Sequence, residues 1–85
     1  MLINIHIESR KDASMFDRAS AIAAFLDVDD ACEVESLRRR HGEPNGFEYE
    51  VVITVRADEF TVELSDLIRD LVQSHMPNTS YKIDA

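Results

Sequence analysis

Apolar side chains along this chain recur at two spacings, and the spacing changes four times from first residue to last. From Met1 to Glu8, Ile3, Ile5 and Ile7 alternate with Asn4, His6 and Glu8, the period-two pattern of a strand with one buried face. After a polar break over 9–12, Met15, Ala19, Ile22, Ala23 and Leu26 fall at helical intervals within an alanine-rich stretch of high helix propensity. Asp12 or Ser14 supplies a cap, with Asp17 three residues after Ser14 in a box-like arrangement. From Phe47 to Ala57 the period returns to two. Phe47, Tyr49, Val51, Ile53 and Val55 point one way; Glu48, Glu50, Val52, Thr54 and Arg56 point the other. Phe60, Leu64, Leu67, Ile68, Leu71 and Val72 then form the stripe of a second helix, capped by Thr61, running to Met76 and stopped by Pro77. Tyr81 and Ile83 suggest a short final strand.

Residues 29–41 satisfy two patterns. As a helix, the segment has Asp30 at its cap with Glu33 at the third helical position, acids early, Arg38, Arg39 and Arg40 late, and Gly42 just beyond. As a strand, Cys32, Val34 and Ser36 alternate with Glu33, Glu35 and Leu37. The turn signal Gly42-Glu43-Pro44-Asn45-Gly46, set directly before a strong strand, favours an antiparallel partner and therefore the strand. The element order is then β-α-β-β-α-β. This is an α+β, ferredoxin-like plan with a four-stranded antiparallel sheet in the order 4-1-3-2 and two helices on one face. The alternative, a helix over 30–41, leaves a three-stranded sheet. The expected core is Ile3, Ile5, Ile7, Tyr49, Val51, Ile53 and Val55 against Met15, Ile22, Leu26, Leu64, Leu67, Ile68 and Leu71.

Length and charge restrict function more than any motif does. Eighty-five residues, 45% of them apolar, make one small globular domain over 1–85. Nine Lys and Arg against seventeen Asp and Glu give a net charge of −8, the wrong sign for tracking a phosphate backbone or an anionic membrane. No apolar run is long enough to span a bilayer, and with no charged region leading into an apolar one near Met1, no secretory leader is expected. Cys32 is the single cysteine, so no intrachain disulfide forms; a reducing, cytoplasmic compartment is expected.

On the ferredoxin-like plan, the sheet face away from the helices carries Asn4, His6, Glu8, Glu33, Glu35, Glu48, Glu50, Thr54, Arg56, Lys82 and Asp84: six carboxylates against two permanent cations. Base stacking on this face is excluded, because Phe47 and Tyr49 point inward and Glu48 and Glu50 take the outward places. Such a face either keeps the protein soluble or docks a basic partner, where complementary potentials speed encounter. The candidate partner-binding carboxylates are Glu8, Glu33, Glu35, Glu48, Glu50 and Asp84. Arg38, Arg39 and Arg40, beside His41 and the turn, form a tip of opposite sign at the sheet edge. They protect that edge or bind a partner carboxylate or phosphate.

Catalytic signals are weak. His6 and Glu8 share a strand face, but no second histidine stands at ligand spacing, so no metal or other cofactor is expected. The acids around Cys32 disfavour a thiolate, and a small core residue is its expected role. No phosphate loop, nucleophile elbow or paired-cysteine motif occurs, and a non-enzyme is expected. Phe16, Phe25 and Val62 lie off the helical stripes, where they widen the core or form the seam of a homodimer.

In size, acidity and lack of catalytic motifs, the chain resembles small phage-encoded inhibitors of the anti-CRISPR and DNA-mimic kind. The resemblance lies in bulk properties, and no motif transfers a residue role. It implies a non-enzymatic module that occupies a basic, nucleic-acid-handling surface on a larger protein. The other expectation is a homodimeric regulatory or assembly module.

Overall fold

The computed structural model describes residues 1–10, 14–40 and 48–85. Six elements follow in chain order: β1 (Leu2–Ser9), α1 (Met15–Asp27), β2 (Cys32–Arg40), β3 (Tyr49–Ala57), α2 (Val62–His75) and β4 (Ser80–Asp84). The four strands form one antiparallel sheet in the order β2-β3-β1-β4, the ferredoxin-like arrangement. Residues 32–40 are therefore strand. Their early acids and late arginines suit a helix, but β3 offers a full antiparallel partner, and tertiary pairing overrides the local preference.

The isoleucines of β1 are fully buried with Val51, Ile53 and Val55 of β3, in one cluster with residues from both helices. That single cluster puts α1 and α2 on the same face of the sheet. From α1 it takes Met15, Ala19, Ile22, Ala23 and Leu26, the five residues at helical spacing in the sequence. From α2 it takes Leu64, Ile68, Leu71 and Val72, with Leu67 and Phe60 packed at its margin. Met76, the residue that closes α2, is also buried, as are Cys32 and Ala57. Phe16 packs partly against the core, whereas Phe25 and Val62 stay exposed.

The helix starts differ. At α2, Thr61 holds extended backbone and its hydroxyl accepts from the Leu64 amide at 3.1 Å, as a capping threonine should. At α1, Ser14 occupies the cap position with φ −87° and ψ 2°, and its side chain makes no capping hydrogen bond. That backbone is not the extended one that aims a cap hydroxyl back at the helix, so the expected serine cap fails. Asp12, the other cap candidate, lies outside the described residues, as do His41, the turn over 42–46 and Phe47.

One irregularity changes which way half of β2 faces. The β2–β3 register runs Cys32 to Ala57, Glu33 to Arg56 and Val34 to Val55, then skips Glu35 and resumes with Ser36 opposite Thr54. This β-bulge inserts one residue and reverses the alternation beyond it. Two expectations are corrected. Ser36 turns outward and Leu37 turns inward to the core, the opposite of simple alternation. The three arginines end the edge strand β2, as expected, but do not share one face. Arg38 and Arg40 stand on the outer sheet face, opposite Val52 and Glu50, while Arg39 falls on the helix side with its guanidinium 5.3 Å from the Phe16 ring centroid.

The register also defines two ends of the sheet. Leu2 lies opposite Arg56, Cys32 opposite Ala57 and Asn4 opposite Asp84, so the α1–β2 and β3–α2 connections meet at one end. Ser9, Tyr49, Arg40 and Ser80 mark the other.

Candidate functional site

On the outer sheet face, cross-strand neighbours form rows. Arg40, Glu50, Glu8 and Ser80 make one; Arg38, Val52, His6 and Lys82 the next; Ser36, Thr54, Asn4 and Asp84 a third. With Arg38 and Arg40 added by the bulge, the six predicted carboxylates meet four permanent cations rather than two. Several of the charges are spent on one another. Glu50 Oε1 lies 3.5 Å from His6 Nδ1 and 4.0 Å from Arg40, and Asp84 lies 3.2 Å from His6 Nε2. Glu35, pushed out by the bulge, contacts Arg56 Nε at 2.8 Å. The Thr54 hydroxyl donates to Asn4 Oδ1 at 2.8 Å. Val52 and Thr54 are buried although they face away from the helices. Glu8, Glu33 and Glu48 have no ion-pair partner among the described residues, and Glu48 lies just ahead of β3.

The arrangement offers little chemistry. The two carboxylates beside His6 sit at opposite ring nitrogens, so they do not converge on a common point as metal ligands would. Among the described residues no group of three or more His, Cys, Asp or Glu is placed to hold a metal ion. A shallow cleft of about 130 Å³ lies at the β1–β4 side, lined by His6, Glu8, Ser80, Tyr81 and Lys82. Cys32 is buried, and its thiol donates to the Leu26 carbonyl at 3.1 Å. Burial, and then the charges of Asp29 and Asp27, push that thiol up from its ordinary pKa, which is the wrong direction for a nucleophile.

The end of the molecule where α1 meets β2 and β3 meets α2 is different. Residues 27–31 and 58–63 contribute Asp27, Asp29, Asp30, Asp58, Glu59 and Glu63, and neither segment contains a lysine or arginine. Asp29 Oδ1 accepts from the Ala31 amide at 2.8 Å, and Asp27 Oδ1 accepts from the Val34 amide at 3.1 Å, capping a donor on the edge strand β2. Between the two connections opens a cleft of about 210 Å³ lined by Ala31, Asp58, Glu59, Thr61 and Leu64. Phe25 (52% exposed), Val28 (79%) and Val62 (74%) belong to the same end. Sequence inspection missed this cluster, since its two halves lie about thirty residues apart and only the sheet register unites them. The signal available was the basic-free stretch Asp27-Val28-Asp29-Asp30.

No helix among the described residues is long and apolar enough to cross a membrane. No known protein family and no characterised protein matches the chain in sequence. Solved structures match it in shape. An ACT domain protein from Streptococcus pneumoniae superposes over 99% of this chain and 88% of its own, with a TM-score of 0.65 and 14% identity. A de novo designed protein covers 98% and 91%, with a TM-score of 0.67 and 20% identity. A formyltetrahydrofolate deformylase from Pseudomonas putida matches all of this chain at a TM-score of 0.63 and 9% identity, and the chain spans 29% of that enzyme's length. At these identities the likeness establishes the fold: a ferredoxin-like α+β domain similar to an ACT domain.

Proposed function

We propose that this chain is a non-enzymatic protein-binding module that engages a basic surface on a larger partner, in the manner of an inhibitor occupying a nucleic-acid-handling site. What supports the reading is the uneven placement of a net charge of −8: six carboxylates gather at one end with no basic residue in their two segments. The eight residues of β1 separate the two ends of the sheet by roughly 25 Å. That is about three Debye lengths at physiological salt, so the arginines at the far end do not neutralise the acidic one. The Met1 ammonium, which donates to the Ala57 carbonyl at 2.7 Å, and Arg56, paired with Glu35, also stand near this end, and the six carboxylates outnumber them. A patch with an excess of one sign steers a partner of the other and disfavours like-charged surfaces. The outer sheet face is the weaker candidate, because Glu35, Glu50 and Asp84 already face cations or His6.

The test is affinity capture with three proteins: wild type, Asp30→Lys/Glu59→Lys at the acidic end, and Glu48→Lys/Glu50→Lys at the sheet face. Basic proteins held by wild type, released as salt rises and lost with the first variant are the expected result. Capture that neither variant weakens, or captured proteins that are not basic, would refute the reading.

A second reading, a homodimeric regulatory module, is supported by the two open sheet edges at β2 and β4 and by the exposed Phe25 and Val62. Light scattering separates the two: under the second, a dimer persists at high salt and in both variants.

A further inference from the structure

We infer that the acidic end is a docking site for an amphipathic, lysine- or arginine-rich helical segment of a partner protein, whose apolar face packs on Phe25, Val28 and the cleft lined in part by Leu64. The inference rests on the proposed basic partner and adds the shape and chemistry of the segment that binds.

Three observations carry it. Phe25 and Val28 stand one turn apart at the end of α1, more than half exposed, so they present one continuous apolar step rather than two scattered side chains. Large exposed apolar groups that sit together mark interaction sites. At the same end of the molecule the cleft is lined by the apolar Leu64 and Ala31 together with Thr61, Asp58 and Glu59. At about 210 Å³ it is smaller than the roughly 300–1,000 Å³ typical of small-molecule sites, which suits a single anchoring side chain better than a metabolite. Finally, the carboxylates Asp27, Asp29, Asp30, Asp58, Glu59 and Glu63 flank this apolar ground without a basic residue in either segment. An apolar centre with a rim of one charge is complementary to a helix with an apolar stripe and basic flanks, the helix-in-groove mode. A purely apolar partner desolvates carboxylates without supplying opposite charge, and a second copy of this chain brings the same charge to the contact.

The probe is a synthetic peptide of about four helical turns with a leucine stripe, lysine flanks and one tryptophan. Because the protein has no tryptophan, peptide fluorescence reports binding alone. A control peptide has the same composition shuffled so that the leucines scatter around the helix. Wild type should bind the amphipathic peptide about tenfold or more tightly than the control, and Phe25→Ser should erase that difference. Added salt and Asp30→Lys/Glu59→Lys should weaken both peptides. Phe25 is exposed, so an unchanged thermal midpoint confirms that its variant folds; Val62→Ser on α2 provides a second probe of the same end. Equal binding of both peptides, untouched by Phe25→Ser, overturns the docking site and leaves a charge-only partner standing. No binding of either peptide also overturns it, and the basic-partner reading is then decided by the capture experiment, which requires no apolar contact.

Discussion

Cys32 shows how one side chain can be chemically quiet and still matter to the fold. It opens β2 with its thiol turned into the core and donating to the Leu26 carbonyl near the end of α1, tying a helix end to the strand that follows. Because burial and neighbouring acids hold the thiol above its ordinary pKa, folding favours its protonated form. The sign follows from linkage: the stabilisation is complete below the thiol's unfolded-state pKa and is lost as pH rises through the raised native value. Two outcomes are expected. Thiol reagents at neutral pH should label Cys32 only as fast as the protein opens, with prompt labelling in denaturant. The urea midpoint should fall on the alkaline side in wild type and stay flatter in Cys32→Ala. Prompt labelling of the native protein would contradict the burial described here. The core role of Cys32 was legible in the sequence from its acidic, histidine-free surroundings. Its bond to Leu26 was not, because it depends on how α1 hands over to β2.

At the scale of elements, β2 is the informative case. Its residues satisfy a helix pattern and a strand pattern about equally, and pairing with β3 decides between them. The bulge at Glu35 then decides which side chains the core receives. Leu37→Asp should therefore cost about 2 kcal/mol, since a half-buried leucine is replaced by a charge facing the core. Ser36→Asp should cost clearly less, because Ser36 faces outward opposite Thr54. Urea unfolding of the two variants measures the difference, and a larger loss at Ser36 would mean that β2 is regular. No sequence signal announced this bulge, which has neither glycine nor proline at its site. Its visible products are the Glu35–Arg56 pair and the division of the arginines between two faces.

Over the whole molecule, the two connections concentrate negative charge at one end of the sheet, although Arg56 stands at that end and Glu8 and Glu50 at the other. Arg10, Arg39 and Arg40 mark one end, while the six carboxylates of the two connections gather at the other. Like charges held together at low salt repel, so the acidic end should be a site of stored destabilisation. The thermal midpoint of wild type should rise as salt screens that end. Asp30→Lys/Glu59→Lys should raise the low-salt midpoint and flatten its dependence on salt, even as it removes binding. A variant that gains stability while losing partner capture would identify the acidic end as a surface kept for function. If the midpoint of wild type does not respond to salt, the six carboxylates are too well solvated to act together.

Periodicity alone determined the two helices, the strands β1, β3 and β4 and most of the core, because alternation of apolar residues at spacings of two and of three to four is a local property written into consecutive residues. Ile3, Ile5 and Ile7, or Leu64, Ile68 and Leu71, declare their faces without knowledge of any partner. Three features were decided only by the tertiary structure. The state of residues 32–40 needed β3 beside them. The facing of Leu37 and of the three arginines needed a bulge whose location depends on that pairing. The acidic end needed the antiparallel register that brings Asp27–Asp30 next to Asp58–Glu63. Each depends on which distant residues become neighbours, and a one-residue offset in register is enough to move a side chain from core to solvent.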